Sequence, residues 1–240
     1  MTTRTGERPI PARSAAPRFR IIKTVPARRG LERWGAILAS HLRSLIDLDV
    51  AIDLVEVPGI ELDEIADLAD CHTVAPAQAH LVSTLLTGED PPDAVALGCL
   101  LEPGFDELTD AAGLITGEIE SCLRLLATPS HPVGVVAGSA SAARGVEARV
   151  ERHGLGALVH DVRAISANPL RFTDEGAQTD LAAAMAAEVR VLAEQGVTQV
   201  IGYGSASLLA EVTRRGGVPT HSPVTASLRA TAGILTARSR

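Results

Sequence analysis

Asp93-Ala94-Val95-Ala96-Leu97-Gly98-Cys99 is a short apolar run that begins at an acid and ends in a Gly-Cys pair. A run this short and this apolar predicts a strand buried on both faces, which is typical of a parallel sheet covered by helices. A second run, Gln199-Val200-Ile201-Gly202-Tyr203, has the same form and ends on Gly-Tyr. The pattern leading up to each run is also shared. Before the first come a strand at Phe19 to Val25, a helix carrying Trp34, Ile37, Leu38, Leu42, Leu45 and Ile46 on one side, a strand at Val50 to Val57 and a helix at Val74 to Leu86. Before the second come a strand at Val133 to Ala137, a helix at Ala142 to His153, a strand at Leu158 to Ile165 and a helix at Gly176 to Gln195. Brief strands at Leu114 to Thr116 and Val218 to Thr220 follow the two runs, the latter after a helix at Ser205 to Arg215, and a helix from about Val224 closes the chain. The expectation is an α/β protein of two pseudo-symmetric Rossmann-like halves, each a mostly parallel four-stranded sheet flanked by helices.

This reading divides the chain into a disordered arm over 1–17, a first half over 18–116 completed by the helix at 224–238, and a second half over 117–223. The arm has no apolar core of the secretory type. The 240 residues are 46% hydrophobic and 21% charged, within the range of a folded globular protein. The longest apolar stretches fall well short of the roughly 18 residues a membrane span needs. A net charge of −7, a single lysine and 2% aromatics argue against a nucleic-acid surface. Three cysteines with no CxxC spacing fit neither a disulfide framework nor a zinc site, so a reducing cytoplasm and no metal are expected. Closed homo-oligomers are common among soluble proteins, and self-association is a further expectation.

Ligands of open parallel sheets bind at the carboxyl ends of the strands. If the halves are duplicates, Cys99 and Tyr203 occupy matching places and face each other across a cleft. Cys99 precedes Leu100-Leu101-Glu102-Pro103-Gly104, a turn leading toward a helix near Phe105, whose N-terminus would favour a thiolate. A small buried hydrophobe is the plainer role for such a residue. Cys71 with His72 could form a Cys/His dyad or half a metal site, though adjacent residues point different ways, whereas Cys122 lies on a helix with Ile119, Leu123 and Leu126 and reads as packing. His41 and His80 read as helix surface.

Other strand ends carry small polar residues. Thr24 opens Thr24-Val25-Pro26-Ala27-Arg28-Arg29-Gly30, and Ser139 and Ser141 sit in Gly138-Ser139-Ala140-Ser141. Such loops can offer N–H groups and hydroxyls to an anion, or simply cap helices. Neither GxGxxG with a following acid nor GxxxxGK[ST] occurs, so no dinucleotide or P-loop site is expected. Gly98, Leu100, Gly204 and Ser205 flank the two central residues and join the candidate substrate-binding set. Glu118, opening a helix after Gly117, and His221, at the last strand end, complete it.

These residues carry a resemblance. Asp93 to Cys99 with Pro103-Gly104, Gly117-Glu118, Val162-Arg163-Ala164-Ile165 and Val200-Ile201-Gly202 resemble the aspartate/glutamate/hydantoin racemase superfamily, nearest its hydantoin and allantoin racemase branch, over about residues 19 to 237. The resemblance implies a cofactor-free enzyme in which two thiols flank a carbon beside a carbonyl or carboxylate, one removing its proton and the other delivering one to the opposite face. Two departures stand out: Tyr203 occupies the second cysteine's place, and Thr24-Val25-Pro26 replaces an Asn-Pro-Asn-Thr type run. A phenol with reference pKa ~10, against ~8.5 for a thiol, would be a donor rather than a base. The expectation is therefore a racemase or isomerase with Cys99 as base and Tyr203 as opposing acid, on a hydantoin-like or amino-acid-derived substrate. Alternatives are a decarboxylase or lyase with Cys99 as sole proton donor, cis–trans isomerisation through a Cys99 adduct, and a non-catalytic protein that binds a small carboxylate.

Overall fold

The structure, a computed structural model, describes residues 17–24, 51–62, 65, 67–108, 110–111, 113–166 and 177–238. The arm over 1–16, the helix expected around Trp34 to Ile46 with His41, and the loop from Val25 to Gly30 lie outside them. Among the described residues, eight strands form two sheets, β1 (Arg18–Lys23), β2 (Ala51–Glu56), β3 (Ala94–Leu97) and β4 (Ile115–Gly117) in the first, and β5 (Val133–Ala137), β6 (Val159–Ala164), β7 (Val200–Gly202) and β8 (Thr220–His221) in the second. The orders are β2-β1-β3-β4 and β6-β5-β7-β8, all pairs parallel. The two sheets thus share one topology, with β3 and β7 in corresponding positions.

Six helices are described: α1 (Leu68–Thr87), α2 (Glu118–Leu126), α3 (Ala140–Arg152), α4 (Gln178–Glu194), α5 (Ala206–Gly216) and α6 (Pro223–Arg238). Because parallel strands are covered on both faces, each sheet has two apolar layers. Phe19, Ile21, Ala94 and Ala96 pack under Leu228 and Ala232 of α6, while Ile22, Val95 and Leu97 pack under Val82 and Leu86 of α1. In the second sheet Val136 and Val200 meet Leu181, Met185 and Val189 of α4 and Val212 of α5, and Val135 and Ile201 meet Val146 and Val150 of α3. Each fully buried Val, Leu or Ile contributes roughly 1.5–3 kcal/mol relative to exposure. The C-terminal helix thus packs on the first sheet.

Two local expectations are corrected. Helix α1 starts at Leu68 rather than Val74, because Asp67 caps it, its Oδ1 accepting from the amides of Ala69 at 2.8 Å and Asp70 at 3.1 Å. Pro76 is thus interior. The helix expected near Phe105 is a single 3-10 turn, Asp106–Leu108, too short to present a macrodipole to Cys99. No helix among the described residues is long and apolar enough to cross a membrane.

Candidate active site

Cys99 sits just beyond β3, where the Gly98 amide still donates to the Ile22 carbonyl at 2.9 Å. The chain then reverses: the Glu102 amide donates to the Cys99 carbonyl at 3.0 Å, and Glu102 takes a φ of 47°, a left-handed conformation that costs a non-glycine residue energy. Such a turn persists only if its surroundings fix it, and they do. The Leu101 carbonyl accepts from Arg149 Nε at 2.8 Å and the Cys71 thiol at 3.9 Å, and the Glu102 carbonyl accepts from Arg149 Nη2. The Pro103 carbonyl accepts from Gln78 Nε2 at 2.5 Å, and Gln78 Oε1 accepts from the Thr24 hydroxyl at 2.9 Å. Arg149 also pairs with Asp106 at 2.8 Å. The Leu101 side chain enters the core of the second sheet against Gly145, where a Cβ would come within 2.6 Å of Leu101 Cδ2.

The Glu102 side chain, fully buried, turns to the start of α2. Its Oε1 accepts from the amides of Ile119 at 2.8 Å and Glu120 at 3.2 Å, and its Oε2 pairs with His153 Nε2 at 2.7 Å. Three hydrogen bonds on two oxygens, two of them at the positive end of a helix, suit a carboxylate. The close approach depends on Gly117, since a Cβ there would lie 2.1 Å from Glu102 Oε1. The bond to Glu102 raises His153 above its ordinary value, and the edge of the Phe105 ring packs on His153 with centroids 5.3 Å apart.

Glu118, the first residue of α2, is 1% exposed, and its Oε2 has no hydrogen-bond partner among the described residues. Burial first, and Glu102 second, push its carboxyl well above the usual range. Its neighbours feel it. Burial raises the Tyr203 phenol far above its ordinary value, with Glu118 and then Cys99 adding to the shift. Cys122, whose thiol donates to the Pro223 carbonyl at 3.5 Å, is raised by burial, Glu118 and Glu102. Cys99 keeps some solvent exposure, yet crowding by protein atoms pushes its thiol up strongly; Cys71 and Glu118 add to this, and the amides of Leu101 and Glu102 oppose it. Burial and the one-turn helix thus work against the thiolate expected at Cys99, and the two amides work for it. Cys99, Tyr203 and Glu118 are electrostatic neighbours, and burial pushes all three upward.

The remaining candidates are placed as follows. Ser139 caps α3, accepting from the Ala142 amide at 3.1 Å, and lies 3.4 Å from the Ser141 hydroxyl. Ser205 caps α5 in the same way, accepting from Leu208 at 3.2 Å, and Gly204 is buried beside it. Leu100 packs on the core beneath Cys99. His221 ends β8 next to Ile201; its Nε2 is buried without a partner, and burial and Arg229 lower its pKa. His80 is exposed on α1, and so is His72, while Cys71 is buried under the Cys99 turn, its thiol pushed up to about 11 by burial. Among the described residues no three His, Cys, Asp or Glu converge as a metal set. The sequence reading missed Gln78, Glu102, Arg149 and His153. Only Glu102 carried a local signal, as an acid in a Pro-Gly turn.

Two parallel sheets of one topology, with Cys99 beyond one central strand and Tyr203 beyond its counterpart, define an α/β protein with a candidate site at corresponding strand ends. Residues 37–231 match the family described as Asp/Glu/Hydantoin racemase, and the chain belongs to it. Membership makes it a racemase-type isomerase acting on a small molecule. No curated protein matches the sequence significantly. Solved structures do match in fold. Allantoin racemase from Klebsiella pneumoniae superposes with a TM-score of 0.74 at 18% identity, covering 93% of this chain and 89% of that one. Glutamate racemase from Francisella tularensis gives 0.61 at 12% identity, with 93% and 82% covered. A double mutant of arylmalonate decarboxylase gives 0.61 at 15% identity, with 91% and 92% covered.

Proposed function

We propose that the protein is a cofactor-independent racemase or isomerase acting at a carbon next to a carbonyl or carboxylate, on a hydantoin-like or amino-acid-derived substrate. Cys99 is the base on one face and Tyr203 the acid on the other. The observation that carries this reading is the electrostatic contact of Cys99 with Tyr203, each one or two residues beyond the end of corresponding strands β3 and β7. Cys99 as thiolate takes the α-proton, the C–H pair moves into an enolate, and the Tyr203 O–H delivers a proton from the opposite side. The cycle leaves a thiol and a phenolate, so a proton must pass back before the next turnover. Thr24, Gly98, Leu100, Glu118, Ser139, Ser141, Gly204, Ser205 and His221 form the substrate-binding set. The three free thiols fit a reducing cytoplasm, and self-association into a closed oligomer belongs to the same reading.

One observation favours a second reading. Cys99, Tyr203 and Glu118 are all raised and therefore protonated at neutral pH, which suits a site that only has to protonate a carbanion. A decarboxylase needs no base, because loss of carbon dioxide leaves the electron pair and Cys99 supplies the proton.

Proton NMR in D2O separates the two readings, using the purified protein with 5-substituted hydantoins, allantoin, Asp, Glu and aryl malonates, and Cys99→Ala and Tyr203→Phe alongside. The racemase reading expects loss of an α-proton signal that disappears with Cys99→Ala and slows unequally in the two directions with Tyr203→Phe. Loss of carboxyl from the malonate with no α-proton exchange selects the decarboxylase. Silence across the panel, with ligands still raising the melting temperature, would point to a binding protein.

A further inference from the structure

The first turn of α2 holds two acidic side chains side by side, both buried, with very different company. Glu102 arrives from the Cys99 turn and takes the amides of Ile119 and Glu120 and the ring of His153. Glu118 belongs to the helix itself, is 1% exposed, and has a carboxyl oxygen with no partner. The helix N-terminus, which ordinarily stabilises an ionised acid in its first turn, is already occupied by Glu102. Two neighbouring carboxylates in a water-poor site cannot both hold a charge, and the donors decide which does. Glu102 has three donors. Glu118 keeps the proton.

We propose that Glu118 is a neutral carboxylic acid whose O–H hydrogen-bonds the carbonyl oxygen of the substrate, and that the Glu102 carboxylate, held by His153 and the start of α2, keeps it in that form. The inference rests on the proposed function for the identity of the bound oxygen, but the protonation of Glu118 stands on this geometry alone. The titratable groups facing Glu118 are Glu102 and Cys99 from the turn after β3, Cys122 one turn along α2, and Tyr203 beyond β7; Arg149 and His153 of α3 reach Glu102 instead. Among the described residues, none of the groups facing Glu118 is a cation. As the α-proton leaves, negative charge gathers on the carbonyl oxygen, and a preorganised O–H donor strengthens its bond to that charge where an ionised acid would repel it. Glu118 thus supplies the stabilisation that the thiol and the phenol, which move protons at carbon, do not. Its unpartnered oxygen is satisfied when ligand enters.

Infrared difference spectroscopy of the full chain tests the protonation without any substrate. The wild type at pH 7 is expected to show a protonated-carboxyl stretch that is absent from Glu118→Gln, and Glu102→Gln, or His153→Gln where that variant fails to fold, is expected to change its titration. Removing the Glu102 charge moves the titration to lower pH. Glu118→Gln keeps volume and a donor, so on any substrate the wild type turns over it should retain activity within about tenfold, whereas Glu118→Leu should lose about 100–1,000-fold in kcat. A wild-type spectrum without that band at pH 7, or a folded Glu118→Gln as inactive as Glu118→Leu, overturns the proposal. A wild type that turns over nothing in the panel overturns the functional reading instead, and the band still decides the state of Glu118.

Discussion

His153 Nε2 lies 2.7 Å from Glu102 Oε2, and this pair fastens the turn that carries Cys99 to helix α3, which covers the other sheet. The side chains are 9% and 0% exposed. At that burial the bond is shielded from water and salt, unlike the surface pairs of Arg214 and Arg215 with Glu211. The position of Cys99 is therefore a property of both sheets.

The pair makes stability depend on pH in a definite direction. Its hydrogen bond raises His153 in the folded protein above its ordinary 6.5. A raised folded pKa means that the contribution is fully present below about 6.5 and is lost as pH rises through the folded value. Replacing His153 by Gln should cost about 1.5–3 kcal/mol at pH 6 and less at pH 9. Urea denaturation of both proteins at the two pH values measures it, and a difference that does not change with pH would refute the linkage.

Gly117→Ala should be among the most damaging single-methyl additions in the chain. The new Cβ would lie 2.1 Å from Glu102 Oε1 and 2.4 Å from its Cδ, so the carboxylate must leave the amides of α2. Overpacking of this kind costs about 1–3 kcal/mol, before counting the stranded buried charge. Gly233→Ala is the control: nothing lies within 4 Å of its added Cβ on α6, and the substitution should stabilise by about 0.5–1 kcal/mol through helix propensity. Thermal melts that fail to separate the two variants would remove Glu102 from its assigned place.

Arg149→Lys tests whether the turn is positioned for chemistry. The guanidinium serves the Leu101 carbonyl, the Glu102 carbonyl and Asp106 with different nitrogens, and an ammonium cannot span that fork. With Leu101 released, Cys99 shifts relative to bound substrate, and a displacement near 1 Å is worth about 100-fold in rate. The expected signature is a fall in kcat with KM little changed, measured on whichever substrate the NMR panel identifies. An unaltered kcat would leave Arg149 a purely structural residue.

The fold was readable because its strands are short, apolar and fully buried: Ala94–Leu97 and Val133–Ala137 allow no other placement in a chain of alternating amphipathic helices. Cys99 was readable for the same reason, since a polarisable residue after Gly98 at a strand end announces itself. The clamp was not. Arg149 and His153 lie on α3 at helical spacing and read as ordinary surface charge, and Gln78 as one polar residue of α1. Their roles depend on the Cys99 turn lying across both helices, a tertiary fact with no local periodicity. The start of α1 was hidden as well, because its first turn is fixed by the Asp67 cap and by burial of Cys71 and Val74. The upward push on the Glu118 carboxyl was equally hidden, since its burial and the approach of Glu102, sixteen residues earlier in the chain, are both tertiary facts.

Alkylating reagents attack the thiolate, so a thiol held strongly protonated by burial, by Cys71 and by Glu118 reacts slowly even though the group is partly open to solvent. Iodoacetamide at pH 7 should therefore label Cys99 far more slowly than an unhindered thiol with pKa near ~8.5, with a rate that climbs about tenfold per pH unit across the accessible range. Cys71 and Cys122, both buried, should stay unlabelled until the chain unfolds. Peptide mass spectrometry over a time course distinguishes the three cysteines. Replacing Glu118 by Gln exchanges one neutral group for another at pH 7 and should leave the labelling rate of Cys99 nearly unchanged, because burial is the main cause of the upward push and remains. Rapid labelling of Cys99 at pH 7 would mean that the thiolate is already formed in the free protein, which favours the base over the sole proton donor of the decarboxylase reading.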